Sequence, residues 1–262
     1  MQGAAVNSIF SDFLERLSPA SESVLILDYD GTLAPFQVER DRAFPYPEVL
    51  PLLESILQRG NTRVIIVTGR PLADMKALLR PFDELEIWGS HGLERKMPGG
   101  TLQEMSLGSG TVELLSQARE WVVATGLISQ AEVKPGGIAI HWRGLSDAAG
   151  KNVEARIREG WSALAERPEL KLLAFDGGLE LRVARPDKGD AVAAVLENSG
   201  PHAQVAYLGD DLTDEDAFRV LSGHGLTVLV RGQYRETKAD VWLKPPQELV
   251  DFLAEWLKRI SA

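Results

Sequence analysis

Short apolar runs without polar alternation are the feature that most constrains the fold of this chain. Residues 24–27, 64–67 and 205–208 each form such a run, which is typical of strands covered on both faces of a parallel sheet. Stretches with apolar residues at helical spacing lie between the runs. Because parallel neighbours need a crossover connection, this alternation predicts an α/β fold with a doubly wound, mainly parallel, Rossmann-like sheet.

Local signals predict the remaining elements of this α/β region. Pro47 near the start and Gly60 at the end bracket one helix, because proline fits a first helical turn and glycine fits the position after the last one. Further strands are predicted at 85–88 and 226–230. The predicted helices cover residues 8–17, 47–60, 71–80, 188–198, 213–221 and 246–259.

The middle third of the chain follows a different pattern, in which helices alternate with hairpins. Turn-rich residues follow position 95 and lead into this region. We therefore predict an α/β core, residues 1–94 and 185–262, interrupted by an α+β domain, residues 95–184. The predicted elements of the insert are helices at 111–125 and 148–166 and strands at 132–134, 138–143, 171–174 and 179–183.

Composition excludes several classes of function. The chain has no cysteine, which excludes disulfides, thiolate metal sites and a cysteine nucleophile. Its 38 acidic residues outnumber its 28 basic ones, which argues against nucleic acid as the main partner. No apolar run approaches the ~18 residues of a membrane span, and the first residues show no secretory signal. We expect a cytoplasmic monomer with neither a membrane nor a nucleic-acid partner.

A pair of acids directly follows the strand at 24–27, in the run Asp28-Tyr29-Asp30-Gly31-Thr32. Ligands of open α/β sheets bind beyond the carboxyl ends of the strands, so these acids are placed for function. Two acids one residue apart point to the same side of an extended chain, and a proton or a cation must then neutralise one of them. The alternative is a simple Asp-Gly turn with a helix cap.

Five acids in seven residues follow the strand at 205–208. Some of them suit the first turn of the next helix, and a solvated turn is the alternative interpretation. Crowding five carboxylates is nevertheless costly without a counter-ion, and Mg²⁺ held by one or two of them would relieve that cost. The acids are Asp210, Asp211, Asp214, Glu215 and Asp216.

Two weaker signals occupy equivalent places in the pattern. Thr68-Gly69-Arg70 follows the strand at 64–67, where a hydroxyl and free N–H groups can hold a phosphate, although Thr68 is equally suited to cap a helix. Lys188 begins a predicted helix, where a cation opposes the helix dipole unless it serves an anion. A solvated surface lysine is the alternative there.

The four signals together resemble the motifs of the haloacid dehalogenase superfamily of phosphohydrolases. They match as Asp28-x-Asp30-Gly31-Thr32, Thr68, Lys188 and Gly209-Asp210-x-x-x-Asp214. The insert lies between the second and third motifs, where one group of this superfamily carries its cap domain. Residues from about 23 to 255 further resemble the trehalose-6-phosphate phosphatase family, with Trp142 where that family usually has tyrosine. The residues that carry this narrower likeness are Gly89-Ser90-His91-Gly92-Leu93-Glu94, Glu132, Lys134, residues 139–143, Glu180 and the long fourth motif.

This resemblance implies a Mg²⁺-dependent phosphatase that hydrolyses trehalose 6-phosphate through an aspartyl-phosphate. It makes Asp28 the nucleophile, which must stay ionised, and Asp30 the general acid and then the base. It makes Thr68 and Lys188 the residues that hold the phosphoryl oxygens. The implied metal ligands are Asp28, the backbone carbonyl of Asp30, and Asp210, with Asp211 and Asp214 in support. The implied substrate-binding residues are Arg70, Glu132, Lys134, Arg143 and Glu180.

Several other functions stay open on the sequence alone. One is a phosphatase for another sugar phosphate, such as sucrose phosphate or a glycosyl-phosphoglycerate. A phosphomutase and a non-catalytic metal-binding or scaffold protein on the same fold are further alternatives. A signalling receiver domain also takes phosphate on an aspartate, but Asp30 and the long insert argue against it.

Overall fold

The structure, a computed structural model, describes residues 2–37, 39–79, 83–175 and 177–262. It divides into two compact units. The core unit comprises Met1–Gln103 and Asp187–Ala262, and the inserted unit comprises Glu104–Pro186. The first boundary lies at Gln103 rather than at residue 94, because the residues after 94 form two strands that extend the sheet of the core unit.

Strands and helices alternate along the chain. The strands are β1 (Ser23–Leu27), β2 (Thr62–Val67), β3 (Glu86–Gly89), β4 (Glu94–Lys96), β5 (Leu102–Glu104), β6 (Ala131–Lys134), β7 (Gly137–His141), β8 (Leu170–Phe175), β9 (Gly178–Val183), β10 (Gln204–Gly209), β11 (Leu226–Val230) and β12 (Val241–Leu243). The helices are α1 (Gln2–Arg16), α2 (Val49–Arg59), α3 (Leu72–Leu78), α4 (Ser109–Ala124), α5 (Asp147–Gly160), α6 (Ser162–Ala165), α7 (Lys188–Glu197), α8 (Glu215–Leu221) and α9 (Gln247–Arg259).

The sheet of the core unit runs in the order β12-β11-β10-β1-β2-β3-β4-β5. The strands from β12 to β3 pair in parallel, and β4 adds to β3 in antiparallel orientation. This confirms the predicted doubly wound, mainly parallel sheet. Because β1 lies between β10 and β2, the chain reverses its direction of winding beside β1, and ligand crevices form at such points.

Two hydrophobic clusters cover the two faces of this sheet. In β1, Leu25 and Leu27 belong to the cluster that contains Trp256 of α9. The alternate residues of β1 belong to the other cluster, which contains Val192 of α7 and Phe218 of α8. Burial on both faces explains why β1 has no polar alternation, and it holds the strand rigidly under the residues that follow it.

The inserted unit carries its own antiparallel sheet, in the order β6-β7-β9-β8. Helices α4 and α5 pack against this sheet, and the rings of Trp121 and Trp161 meet between the helical segments with their centroids 5.7 Å apart. Trp142 packs beside Gly150 of α5, where an added Cβ would lie 3.0 Å from the indole ring. Trp142, which stands where the resembled family usually has tyrosine, therefore packs within this unit.

Some predicted elements differ from the structure. The helix predicted at 148–166 is two helices, α5 and α6, because Trp161 leaves the helical conformation between them. The short strands β4, β5 and β12 were not predicted. Residue 80, the last of the helix predicted at 71–80, lies outside the described residues, and α3 ends at Leu78. No helix in the described part of the chain combines the length and apolar character needed to cross a membrane.

Candidate active site

The candidate site lies at the carboxyl edge of the parallel strands in the core unit. Leu27, the last residue of β1, pairs with Leu208 of β10 and with Ile66 of β2. The three strands therefore end at one level, and the residues after them emerge side by side. This register brings Asp28, Thr68 and Asp210 to the same edge, as the sequence predicted.

Asp28 is the first of these residues and is almost fully buried. The hydroxyl of Thr32 donates a hydrogen bond to its Oδ2 at 3.1 Å, and Nζ of Lys188 donates one to its Oδ1 at 2.6 Å. Its backbone N–H donates to the carbonyl of Leu208 at 2.8 Å, which ties the start of the turn to the neighbouring strand. The carboxylate is thus held in one orientation.

Lys188 stands at the start of α7 and is also buried. The preceding residue, Asp187, caps the helix by accepting the backbone N–H groups of Gly189 and Asp190. The ammonium bridges two carboxylates, at 2.6 Å from Asp28 and 2.7 Å from Asp214. Although burial alone would lower the pKa of Lys188, these two carboxylates raise it above its ordinary value. The sequence predicted that Lys188 serves an anion, and the structure shows two such anions, the carboxylates of Asp28 and Asp214.

Asp214 organises the turn that follows β10. Its Oδ1 accepts hydrogen bonds from Lys188 and from the hydroxyl of Tyr207, at 2.7 and 2.6 Å. Its Oδ2 accepts the backbone N–H groups of Asp210 and Asp211, at 3.1 and 2.9 Å. With four donors on two oxygens, Asp214 orients its neighbours, and this geometry favours the predicted supporting role.

Asp210 approaches the backbone of the first motif closely. Gly31 has φ of +83°, and a Cβ built there would lie 2.2 Å from Oδ2 of Asp210. Only glycine both adopts this conformation readily and leaves room for the carboxylate. Gly31 therefore allows Asp210 to lie close to the first motif, which carries Asp28.

Three buried carboxylates in this region form a cluster that fits a metal ion. Asp28, Asp210 and Asp214 each offer an oxygen atom, and these atoms lie within 4.8 Å of one another. Burial raises the pKa of Asp28 to about 7, against the opposing effect of Lys188, and the charge on Asp214 adds to the rise. Burial also raises the pKa of Asp210, and the charges on Asp28 and Asp214 raise it further.

The balance of positive and negative charge among these side chains indicates which kind of ion the site can bind. Lys188 contacts Asp28 and Asp214, and the Arg231 guanidinium lies 3.8 Å from Asp210, so two cations face three carboxylates. The pKa of Asp28 is nevertheless raised, and the expected ionised Asp28 requires further positive charge. A hard cation would supply the missing positive charge, and carboxylate oxygens are the ligands that such a cation takes. The donor set therefore fits a divalent ion.

The carboxylate of Asp30 lies outside this cluster and faces Arg70 instead. Nε and Nη2 of Arg70 each donate to one oxygen of Asp30 at 2.6 Å, while Nη1 donates to the carbonyl of Arg40 at 2.7 Å. The Arg70 side chain is buried, and its guanidinium lies over the ring of Tyr29. In the structure Arg70 orients Asp30, because the bidentate geometry matches a carboxylate. That Arg70 also binds substrate stays a prediction.

Thr68 lies in the turn after β2, and the turn at Ser90–Gly92 packs against it. Its Oγ1 accepts the N–H of Arg70 at 3.1 Å, and its carbonyl accepts the N–H of His91 at 2.9 Å. Ser90 and His91 both have positive φ, 48° and 57°, which is uncommon for residues other than glycine. A Cβ at Gly69 would meet the His91 ring at 2.6 Å. The strained turn at Ser90–Gly92 thus holds the second motif in place.

The predicted sugar-binding residues lie in the inserted unit. Glu132 and Glu180 both pair with Ala139, from opposite sides of β7, so they share one face of the sheet. Nζ of Lys134 lies 2.8 Å from Oε1 of Glu180, and Nε2 of His141 lies 3.0 Å from Oε2 of Glu132. Arg143, after β7, packs its side chain against Gly177. The inserted unit therefore presents a cluster of charged residues on one face, to which His141 is an unpredicted addition.

Comparison with known proteins identifies the chain at the level of family. A family model described as trehalose-phosphatase matches residues 26–243, which is most of the sequence. The chain belongs to the trehalose-phosphatase family. A probable trehalose-phosphate phosphatase H of Arabidopsis thaliana is 31% identical over 273 residues, covering 95% of this chain and 76% of the relative. Trehalose-phosphate phosphatase B of the same plant is 31% identical, covering 95% of this chain and 70% of its own length.

Solved structures agree with this membership. The C-terminal domain of a C. albicans trehalose-6-phosphate phosphatase superposes with a TM-score of 0.76 at 20% identity, which shows the fold, and covers 98% of this chain and 96% of that chain. An Aspergillus fumigatus trehalose-6-phosphate phosphatase has a TM-score of 0.66 at 25% identity, covering 96% and 97%. The predicted family is therefore confirmed.

The sequence did not reveal two residues that contact the turn after β10, Tyr207 and Arg235. Tyr207 is a β10 residue whose hydroxyl contacts Asp214, but in the sequence it is one more apolar-run residue. Arg235 lies between β11 and β12 and donates to the backbone carbonyls of Asp210 and Asp211. Its contacts with the turn that carries Asp210 are to carbonyl groups, which every residue has, so the sequence gives no sign of them.

Proposed function

We propose that this chain is a Mg²⁺-dependent phosphatase that hydrolyses trehalose 6-phosphate to trehalose and phosphate. The observation that carries the proposal is the buried carboxylate of Asp28, fixed by Lys188 and Thr32, with Asp30 two residues further along. Membership in the trehalose-phosphatase family and the substrate in the names of its relatives support this choice of sugar.

In the first step, an oxygen of Asp28 attacks the phosphorus atom of the substrate. The bond from phosphorus to the sugar oxygen breaks as the aspartyl-phosphate forms, and Asp30 donates a proton to the leaving oxygen. In the second step, Asp30 takes a proton from water, whose oxygen attacks the same phosphorus atom. Phosphate leaves, and Asp28 returns as a carboxylate.

Asp30 must be aimed correctly in both steps. Its two oxygens are each held by Arg70 at 2.6 Å, which restricts the side chain to one orientation. Proton transfer by a positioned acid contributes about 10²–10⁴-fold to such reactions. Arg70 therefore acts through Asp30, since its own N–H groups also serve the carbonyl of Arg40.

Asp28, Asp210 and the backbone carbonyl of Asp30 would hold Mg²⁺, and Asp211 and Asp214 would support them. When bound, the ion supplies positive charge that offsets the negative charge of the transferring phosphoryl group. Lys188 and Thr68 complete this stabilisation by holding phosphoryl oxygens. Thr68 and its turn are fixed by hydrogen bonds to the neighbouring backbone, so they need little reorganisation during the reaction.

Substrate choice is assigned to the inserted unit, which we propose acts as the cap domain. Glu132, Lys134, Arg143 and Glu180 would hydrogen-bond the sugar hydroxyls. A site with buried polar groups rejects a sugar that leaves them unpaired. Glu180 is mostly buried and already paired with Lys134, so its orientation is set before a ligand arrives.

Phosphate release from a panel of sugar phosphates tests this function. Trehalose 6-phosphate should be turned over well ahead of sucrose phosphate, glucose 6-phosphate and a small aryl phosphate, and Asp28→Asn should abolish release. Equal turnover across the panel would contradict the choice of sugar, and activity in Asp28→Asn would contradict the nucleophile. The monomeric state and the cytoplasmic location stay predictions, for light scattering and cell fractionation to test.

A further inference from the structure

The loop between β11 and β12 contacts the turn that carries Asp210 and Asp211. Asp214 holds the backbone N–H groups of that turn from one side. The carbonyl groups of the same two residues point the other way, toward residues 231–238. The peptide group between Asp210 and Asp211 is therefore held at its N–H by Asp214 and at its carbonyl by Arg235 and Arg231, at 3.4 and 3.3 Å.

Arg235 provides most of the contacts on the carbonyl side. Its Nη2 donates to the carbonyl of Asp211 at 2.7 Å, and its Nε donates to the carbonyl of Asp210 at 3.4 Å. Nη1 donates to Oε1 of Glu215 and to the carbonyl of Glu236. A planar guanidinium can reach several acceptors at once in a fixed geometry, whereas a lysine ammonium cannot reproduce this fork.

Glu215 anchors the same arrangement from the start of α8. Its Oε1 also accepts the hydroxyl of Thr237 at 2.7 Å, and its Oε2 accepts the backbone N–H of Lys238 at 2.9 Å. The charge of Arg235 is matched by this carboxylate, and both side chains are largely buried. The pair therefore acts through geometry more than through net charge.

We infer that Arg235 is a positioning residue for the cation site, because it holds the carbonyl of the peptide group that follows Asp210 and the next carbonyl of the same turn, and so fixes the backbone from which the Asp210 carboxylate extends. This inference rests on the proposed function, in which Asp210 is a ligand. Asp210 lies against Gly31 with little free space, so a small rotation of its peptide group would displace the carboxylate from Asp28. Outer partners that orient a ligand typically change metal affinity by about 10–100-fold when removed.

The test measures Mn²⁺ binding to the full chain by electron paramagnetic resonance of the free ion, without substrate. Arg235→Ala should weaken Mn²⁺ binding by about 10-fold or more. In phosphate-release assays, the Mg²⁺ concentration for half-activation should rise by a similar factor, while kcat and KM at saturating Mg²⁺ stay near wild type. A merely structural role would instead lower the active fraction without changing the affinity for the ion.

Arg219→Ala is the matched control, because Arg219 pairs with Asp216 on the exposed side of α8 and does not contact the turn. It should leave Mn²⁺ affinity unchanged. Arg235→Lys keeps the charge and should fall between wild type and alanine, and it decides the question if Arg235→Ala does not fold. Equal Mn²⁺ affinity in wild type and in the Arg235 variants would overturn the inference. A wild-type chain that binds no Mn²⁺ would overturn both this inference and the metal dependence of the proposed function.

Discussion

Lys188 donates a hydrogen bond from Nζ to Oδ1 of Asp28 at 2.6 Å, although 160 positions separate the two residues. Both side chains are 4% exposed, so the ion pair lies in a region that excludes water. The same ammonium contacts Asp214. Among the described residues, Lys188 is the cation that contacts both of these buried carboxylates. Its removal would leave their negative charges uncompensated.

Lys188→Ala is predicted to impair both stability and activity. Removing one partner of a buried ion pair costs about 3–5 kcal/mol, and removing a group that stabilises transferring charge costs about 10²–10³-fold in kcat. Urea denaturation in EDTA and phosphate release at saturating Mg²⁺ measure the two effects. Lys258→Ala, which breaks an exposed pair with Glu255, should change stability by less than about 1 kcal/mol. Wild-type activity in Lys188→Ala would remove this residue from the mechanism.

The contribution of Asp28 to the stability of the metal-free protein is predicted to fall as pH rises from about 4 to 7. Burial raises the pKa of Asp28 from 3.8 to about 7, so its proton is held more tightly in the folded chain than in the unfolded one. The stabilisation from this proton is complete below the unfolded pKa and is lost as pH approaches the folded one.

Thermal denaturation in EDTA measures this effect against Asp28→Asn, which carries no titrating group at that position. The stability of wild type relative to Asp28→Asn should decline across that pH range. Above pH 7, Mg²⁺ should raise the wild-type melting temperature by more than that of Asp28→Asn. A wild-type stability that rises relative to the variant from pH 4 to 7 would contradict the assigned direction of the pKa.

Gly31→Ala is predicted to abolish activity through a steric effect on Asp210. The new Cβ would lie 2.2 Å from Oδ2 of Asp210, in addition to the strain of φ at +83°. Gly60→Ala separates the two causes, because Gly60 has φ of +78° at the end of α2 and a Cβ there would meet no atom of the described residues within 4 Å. Gly60→Ala should cost about 1–2 kcal/mol in unfolding free energy and leave kcat unchanged. Similar kcat values for the two variants would show that the contact with Asp210 is unimportant.

Glu180→Ala is predicted to harm hydrolysis of trehalose 6-phosphate far more than hydrolysis of a small aryl phosphate. The substitution removes one proposed sugar contact and leaves Lys134 without its partner at 2.8 Å. The expected loss in kcat/KM for the sugar substrate is about 10²-fold, because a polar group in the site is left unpaired. Glu159→Ala, on the exposed surface of α5, is the control and should affect neither substrate. Equal losses on both substrates would show that Glu180 has a structural role only.

The pattern of apolar runs was sufficient to predict the core sheet, because strands such as β1 and β10 are buried on both faces. It failed for β4, β5 and β12, which are three residues long. β4 and β5 bury little and form because an existing sheet edge offers hydrogen-bond partners. β12 is apolar and buries Val241, but three residues are too few to show a pattern.

Some parts of the candidate site could likewise be predicted from the sequence, and others could not. Acids that emerge from the ends of adjacent strands, such as Asp28 and Asp210, could be expected to converge from their positions in the sequence. The partner of Arg70 could not be predicted, because Asp30 and a phosphate offer the same oxygen geometry to a guanidinium. Arg235 and Tyr207 were missed because their roles depend on tertiary contacts with the fourth motif.

The four hydrogen bonds on the carboxylate of Asp214 limit how this site can change during evolution. Asparagine has nearly the same shape, but its amide nitrogen would face two donors where an acceptor is required, and glutamate would displace the whole turn. Since no natural side chain other than aspartate offers four acceptor sites at this reach, any replacement of Asp214 gives up at least one of these four hydrogen bonds.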